Sequence, residues 1–399
     1  MSENRAVPQD NDAILGGGSL APQQGVILGG LAGLKQQLQQ GEREATVEDV
    51  VRSLNYGEEG VQFILKAIAK NCSREVWEYV DRDILASREP RWILAQGVAV
   101  WNRWRGHYFQ KNWMHALYID LSWIDLAGAV LSGINLRGCN LKGANLENAV
   151  LMGAKLFDCN FAVANLKNAN CDRANFNRAN LQWADLRNAT LRHASLKRVN
   201  CDRANLQGAN LENANLANCN LENASFSGVS LQGANLGIIN RSIEHLRPAN
   251  LVGIKMRICS SKIPLDLSGF NLQSANLCRS DLHHANLQGV NLQQANLENV
   301  NLKGANLKNA NLTRVLLSRG DLRNSSLQGA NLTQAKLRNV NLKNADLTKA
   351  TLRKAKLKNI NLSDADLTQA DLSRVVSIRV NYTKAKFSLT NRRGSYFEQ

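Results

Sequence analysis

The side chains in this 399-residue sequence best suited to metal or nucleophilic chemistry are its six His and eight Cys. His107, His115, His193, His245, His283 and His284 lie far apart except for the last two. A metal site needs several ligands at short, fixed spacing, and the sequence holds no CxxC pair and no HExxH. Cys139 and Cys159 lie one 20-residue interval apart, with Cys219 further along in the same phase, while Cys171 and Cys201 share a second phase. Such phasing suits small buried apolar residues and implies no redox role. GxSxG, Walker-type GxxxxGK[ST] and strand–helix GxGxxG motifs are absent. No catalytic set, cofactor or resident metal is therefore expected.

The charged residues suggest anion binding instead. Lys plus Arg number 49 against 33 Asp plus Glu, a net charge of +16. Residues 1–110 hold 12 basic and 14 acidic residues, residues 111–271 hold 17 and 11, and residues 272–399 hold 20 and 8. The positive field thus concentrates near the C-terminus. Lys303, Arg323 and Lys343 recur every 20 residues, as do Lys336 with Lys356 and Arg338 with Lys358. Arg241 and His245 sit in an irregular stretch and are added as candidate partner contacts. A basic stripe on a rigid body fits an acidic protein, nucleic acid or anionic lipid. Specific nucleic-acid readers usually add aromatic platforms, and this half has almost none.

A five-residue repeat would position these charges. Counting every fifth residue from Leu121 to Met256 gives 28 slots, of which 21 are Leu, six are Phe, Cys or Met, and one is Arg241. From Leu272 to Phe387 there are 24 slots and 21 Leu, the departures being Ser377, Tyr382 and Phe387. Two residues before each slot stands a small residue, mostly Ala, and a polar residue lies between. A period of five matches neither a helix nor a flat strand. It fits a coil with four short sides, Leu and Ala pointing inward, and 20 residues per turn. About 13 such turns, stacked at roughly 4.8 Å, make a rod on the order of 60 Å long.

The A-[N/D]-L pattern, seen in Ala144-Asn145-Leu146, Ala204-Asn205-Leu206 and Ala345-Asp346-Leu347, resembles the pentapeptide-repeat family over roughly residues 117–390. The resemblance implies a mainly β fold, a right-handed quadrilateral β-helix, here preceded by a small α-helical domain. Some members of that family mimic duplex DNA and bind DNA gyrase. Residues 111–399 carry 37 basic and 19 acidic residues, the wrong sign for such mimicry.

The two blocks are out of phase by one residue, and Pro248 and Pro264 fall between them, where a regular ladder would reject Pro. This predicts a distorted coil or loop over about 238–268, within an interruption assigned to 238–271. The flanking blocks are 117–237 and 272–390, with a tail at 391–399. Residues 1–45, with ILGG at Ile14–Gly17 and Ile27–Gly30, read as a flexible arm or a docking motif. Such an arm before a helical module resembles cyanobacterial pentapeptide-repeat proteins, whose relatives affect heterocyst differentiation.

Residues 46–116 form the helical domain, weakly similar to HEAT-type repeats. Thr46 with Asp49 suggests a capping box, Ser73 a second cap, and Pro90 the start of a helix running through Trp101. Trp101, Trp104, Tyr108, Phe109 and Trp113 are expected to cover the first coil. Arg91, Arg103 and Arg105 among these aromatics also fit an interfacial membrane helix. No apolar run is long enough to span a bilayer and no secretory signal is evident, so a cytoplasmic location is expected. The expectation for function is a non-enzymatic interaction scaffold or regulatory adaptor with a protein partner, acidic in character. The alternative is electrostatic binding of nucleic acid or anionic membrane. Tyr396 and Phe397 either close the C-terminal end or join two copies as a homodimer.

Overall fold

The computed structural model describes residues 30–39, 44–70, 72–85, 88–111, 119–239, 246–247, 249–259 and 265–398. These residues divide into two compact units. One comprises the helices up to Leu121 together with Leu131–Cys139; the other comprises Ser122–Val130 and the chain from Asn140 onward.

The helical unit contains α1 (Gly30–Gln39), α2 (Val47–Leu54), α3 (Gly57–Lys70), α4 (Arg74–Val80), a π-helical turn (Asp81–Leu85), α5 (Pro90–Ala95) and α6 (Val98–Lys111). α1 lies inside the segment read as an arm. Its Leu31 and Leu34 are buried, and that apolar spacing gives the helix a reason to form. Thr46 caps α2 in a reciprocal box with Asp49, and the Ser73 hydroxyl accepts the Val76 N–H at the start of α4. The single helix expected from Pro90 through Trp101 is two helices. Gly97, at φ +105°, takes a conformation that breaks the run between α5 and α6.

Side chains of α6 hold the pentapeptide segment assigned to the same unit. Trp101 Nε1 donates to the Asn135 carbonyl at 2.6 Å, and the Asn135 N–H donates to Asn102 Oδ1 at 2.7 Å. Asn102 Nδ2 donates to the Gly133 carbonyl at 3.0 Å, and Arg105 donates to the Arg137 carbonyl. Trp101, Trp104 and Arg105 are buried, and Arg103 donates to the Ile68 and Cys72 carbonyls. Arg103 is half-buried and Arg91, on α5, is exposed. Tyr108, Phe109 and Trp113 fall among residues whose side chains lie outside the description.

The second unit is a β-solenoid. Most pentapeptides make a tight turn closed by a bond such as Ala144 N to Leu141 O, 3.0 Å. The residue two past each Leu sits at positive φ, for example Gly143 at +65° and Asn148 at +58°, as in a type II turn. Between coils, bonds such as Leu141 N to Asn160 O (2.7 Å) and Asn145 N to Ile124 O (2.9 Å) repeat every 20 residues. The ladder-position Asn closes a second set of bonds. Asn140 Oδ1 accepts the Lys142 N–H, and Asn160, Asn180, Asn200 and Asn220 each donate Nδ2 to the Asn 20 residues earlier. Leu and Ala fill the interior almost without exposure.

One ladder column runs unbroken from Lys155 through Asn235, Lys255, Asn276 and Lys356 to Tyr396, thirteen rungs of parallel pairing. The interruption is therefore slight on this face. Ser230 pairs with Asn250 at the ordinary spacing, whereas Lys255 pairs with Asn276, one residue longer. β2 (Lys255–Ile258) pairs with β1 (Asn235–Ile239). There the Ser280 hydroxyl accepts the Ile258 N–H at 3.0 Å.

Candidate functional site

Most ladder slots hold Asn, Asp, Ser or Thr, whose side-chain oxygen can accept the N–H two residues on and bend the chain at once. Five consecutive rungs of one column lack such a residue: Leu316, Lys336, Lys356, Val376 and Tyr396. Here the chain extends into β3 (Leu316–Ser318), β4 (Lys336–Arg338), β5 (Lys356–Asn361), β6 (Val376–Asn381) and β7 (Tyr396–Glu398), a five-stranded parallel sheet. Its register is direct, Lys336 opposite Lys356 and Arg338 opposite Lys358.

Lys336, Arg338, Lys356 and Lys358 are all exposed, and Leu337 and Leu357 between them are buried. They form a grid spaced by about 4.8 Å between strands and about 6.6 Å along each strand. The corner row beside the strands adds Arg314, Lys354 and Arg374, also exposed. Among the described residues none of these seven cations takes part in an ion pair; Arg314 donates through Nε to Gln334 Oε1 at 2.7 Å. The outward slots of this face between Arg314 and Ile378 hold no acid, the acids appearing only at its limits as Glu298 and Glu398.

A groove of about 550 Å³ runs between the corner row of Arg314, Gln334 and Lys354 and the strand row of Leu316, Lys336 and Lys356. Leu316 is 45% exposed, Val376 38% and Tyr396 58%, so the strand row reads apolar, cationic, cationic, apolar, aromatic.

The other basic row behaves differently. Lys303, Arg323 and Lys343 are exposed and stacked, since Gly304 N donates to Arg323 O and Asn324 N to Lys343 O. Arg323, however, grips Asp321 through Nε and Nη2 at 2.7–3.1 Å, and Lys343 Nζ lies 4.0 Å from Asp364. The Arg323 hydrogen bond holds the Asp321 carboxyl below its ordinary range, so this charge is satisfied internally. Pairs of the same kind, such as Arg192–Asp172 and Lys167–Glu147, consume much of the charge in the first block. Arg241 and His245 lie outside the described residues. Nearby Arg247 donates to the Ser268 carbonyl and stacks on Phe270 at 4.8 Å.

Several of the described residues capable of chemistry are engaged structurally. Burial pushes the Cys139 thiol up to about 11 and Cys219 to about 12, and raises Cys171 and Cys201 as well. A thiol so raised stays protonated and unreactive near neutrality. His283 bonds Asp281 at 2.8 Å, and the His284 ring occupies the space a Cβ on Gly304 would need. At the C-terminal end, Tyr382 meets Phe387 and Phe397, and the Arg392 guanidinium lies 3.8 Å from the Phe387 ring centroid.

Among solved structures, the chain is similar to HetL, a pentapeptide repeat protein involved in heterocyst differentiation regulation from the cyanobacterium Nostoc. The identity is 28%, covering 66% of this chain and 93% of that one, with a TM-score of 0.29. It is similar to AT2G44920, a pentapeptide repeat protein from the Arabidopsis thaliana thylakoid lumen, at 29% identity, 26% and 68% coverage and a TM-score of 0.21. Similarity to Rfr23 from the cyanobacterium Cyanothece is 20% in identity, with 48% and 90% coverage and a TM-score of 0.18. No curated protein sequence matches. The family model described as pentapeptide repeats matches residues 119–192, 204–237 and 265–399, more than half of the chain. With the five-residue turn and the 20-residue ladder, that match means that the chain belongs to the pentapeptide-repeat family.

Proposed function

We propose that this protein is a non-enzymatic interaction scaffold that presents the sheet face of β3–β6 to an acidic protein partner. The observation that supports the reading is the set of seven exposed cations with no ion pair among the described residues, on a face without acids. Like charges held at rung spacing repel one another, and a bound anionic surface relieves that repulsion. Leu and Ala fill the interior of the solenoid among the described residues, which suits a protein acting through its surface. Resemblance to HetL suggests a regulatory setting for such a scaffold.

The test is capture from nuclease-treated source lysate at physiological salt, comparing the full chain with a Lys336→Glu/Arg338→Glu/Lys356→Glu/Lys358→Glu variant. A protein retained in stoichiometric amount by the first and lost by the second supports the scaffold. Equal retention by both would contradict it. The same cations favour a second reading, electrostatic binding of nucleic acid; its signature is affinity that falls steeply with salt and shows no sequence preference.

A further inference from the structure

Resting on that reading, we propose that the element docking on the sheet face is an acidic amphipathic α-helix lying parallel to the ladder. The strand row fixes the pattern: Leu316, Lys336, Lys356, Val376 and Tyr396 stand on successive rungs, two cations flanked by exposed apolar side chains. A complementary partner places an apolar residue, two carboxylates and two further apolar residues in a line.

The rung spacing selects the form of that partner. Rungs about 4.8 Å apart stand at roughly 0, 4.8, 9.6, 14.4 and 19 Å along the ladder. Helix residues i, i+3, i+7, i+10 and i+14, on one face, fall at about 0, 4.5, 10.5, 15 and 21 Å. The mismatch stays within about 2 Å over the whole row, and long Lys side chains absorb it. Same-face residues of an extended strand are about 6.8 Å apart and run out of step within two rungs. Phosphates of duplex DNA rise by about 3.4 Å per residue along the axis while winding around it, and carry no apolar groups to meet Leu316 and Val376. The corner row gives the helix a side wall: Arg314 and Lys354 border the groove, placing cations where a second line of Glu would run.

The probes are two synthetic peptides of about 20 residues. One carries Leu at i, i+10 and i+14 with Glu at i+3 and i+7. Its isomer has identical composition, with those five residues dispersed around the helix. A single-stranded oligonucleotide and phosphatidylcholine/phosphatidylserine vesicles serve as competing polyanions. Binding is measured to the full chain at physiological salt.

The ordered peptide should bind roughly tenfold more tightly than its isomer, and Lys336→Glu/Lys356→Glu should abolish that difference. Leu316→Ser/Val376→Ser, which leaves the charge untouched, should weaken the ordered peptide several-fold and leave oligonucleotide binding unchanged. Circular dichroism of each variant confirms that these exposed substitutions preserve the fold. Equal binding of the two peptides, tighter binding of oligonucleotide or vesicles, or no binding of either peptide would overturn the proposal. Face-dependent capture of a lysate protein alongside equal peptide binding would remove the helix inference while leaving the scaffold reading intact.

Discussion

At the scale of single residues, the solenoid tolerates side chains in a backbone conformation that favours Gly and Asn. Asn148, Asn168 and Asn188 occupy the positive-φ slot and bond one another at 3.2 and 3.4 Å. Val163 sits in the same kind of slot at φ +54°, where a β-branched side chain crowds its own backbone. Replacing Val163 with Asn should therefore stabilise the first block by about 1 kcal/mol, a rise of about 2 °C in thermal midpoint followed by circular dichroism. Asp321 makes a pH prediction. Its folded pKa is depressed, first by the Arg323 hydrogen bond, so its contribution is present above the ordinary carboxylate value and is lost as pH falls through the folded one. Thermal midpoints should hold from neutrality to about pH 4 and then fall, with Asp321→Asn falling less steeply than wild type. An identical slope in the variant would show that the pair contributes nothing.

At the scale of elements, local sequence and neighbouring rows divide the information. The Thr46 capping box and the Ser73 cap are visible in a few adjacent residues. The break at Gly97 is equally local, but a run of apolar residues on both sides masks it. Membership of the basic face follows from 20-residue arithmetic, which finds Lys336, Arg338, Lys356 and Lys358. Extending it by one column would have found Arg314, Lys354 and Arg374. Asp321-Leu322-Arg323 puts acid and base on the same outward side, two residues apart, and the two side chains pair. Asp185-Leu186-Arg187 forms the same pair, with 2.6 Å between Arg187 Nη2 and Asp185 Oδ2, so the short motif carries its own neutralisation. Within the helical unit, Asn102 makes two hydrogen bonds to backbone groups of Gly133 and Asn135. Asn102→Ala should cost about 1–3 kcal/mol, read as a lower denaturation midpoint; an unchanged midpoint would mean that water replaces both bonds.

At the scale of the whole molecule, the ladder makes stability local. Each coil bonds only the coils before and after it, so a cavity in one region should loosen that region first. Leu206→Ala removes a buried core side chain, worth about 2–5 kcal/mol, and should speed amide exchange over roughly residues 186–226 while leaving residues 320–360 protected. Uniform loss of protection would show that the solenoid opens as one unit. Function should be local in the same way, residing on one face and not in net charge. The most direct test measures the affinity of a captured acidic partner for two variants of equal charge change. One is Lys336→Glu/Lys356→Glu/Lys358→Glu on the sheet face, and the other is Lys303→Glu/Arg323→Glu/Lys343→Glu on the row where Arg323 meets Asp321 and Lys343 meets Asp364. The account predicts at least a roughly tenfold loss for the first and less than about threefold for the second. Equal losses in the two variants would contradict it.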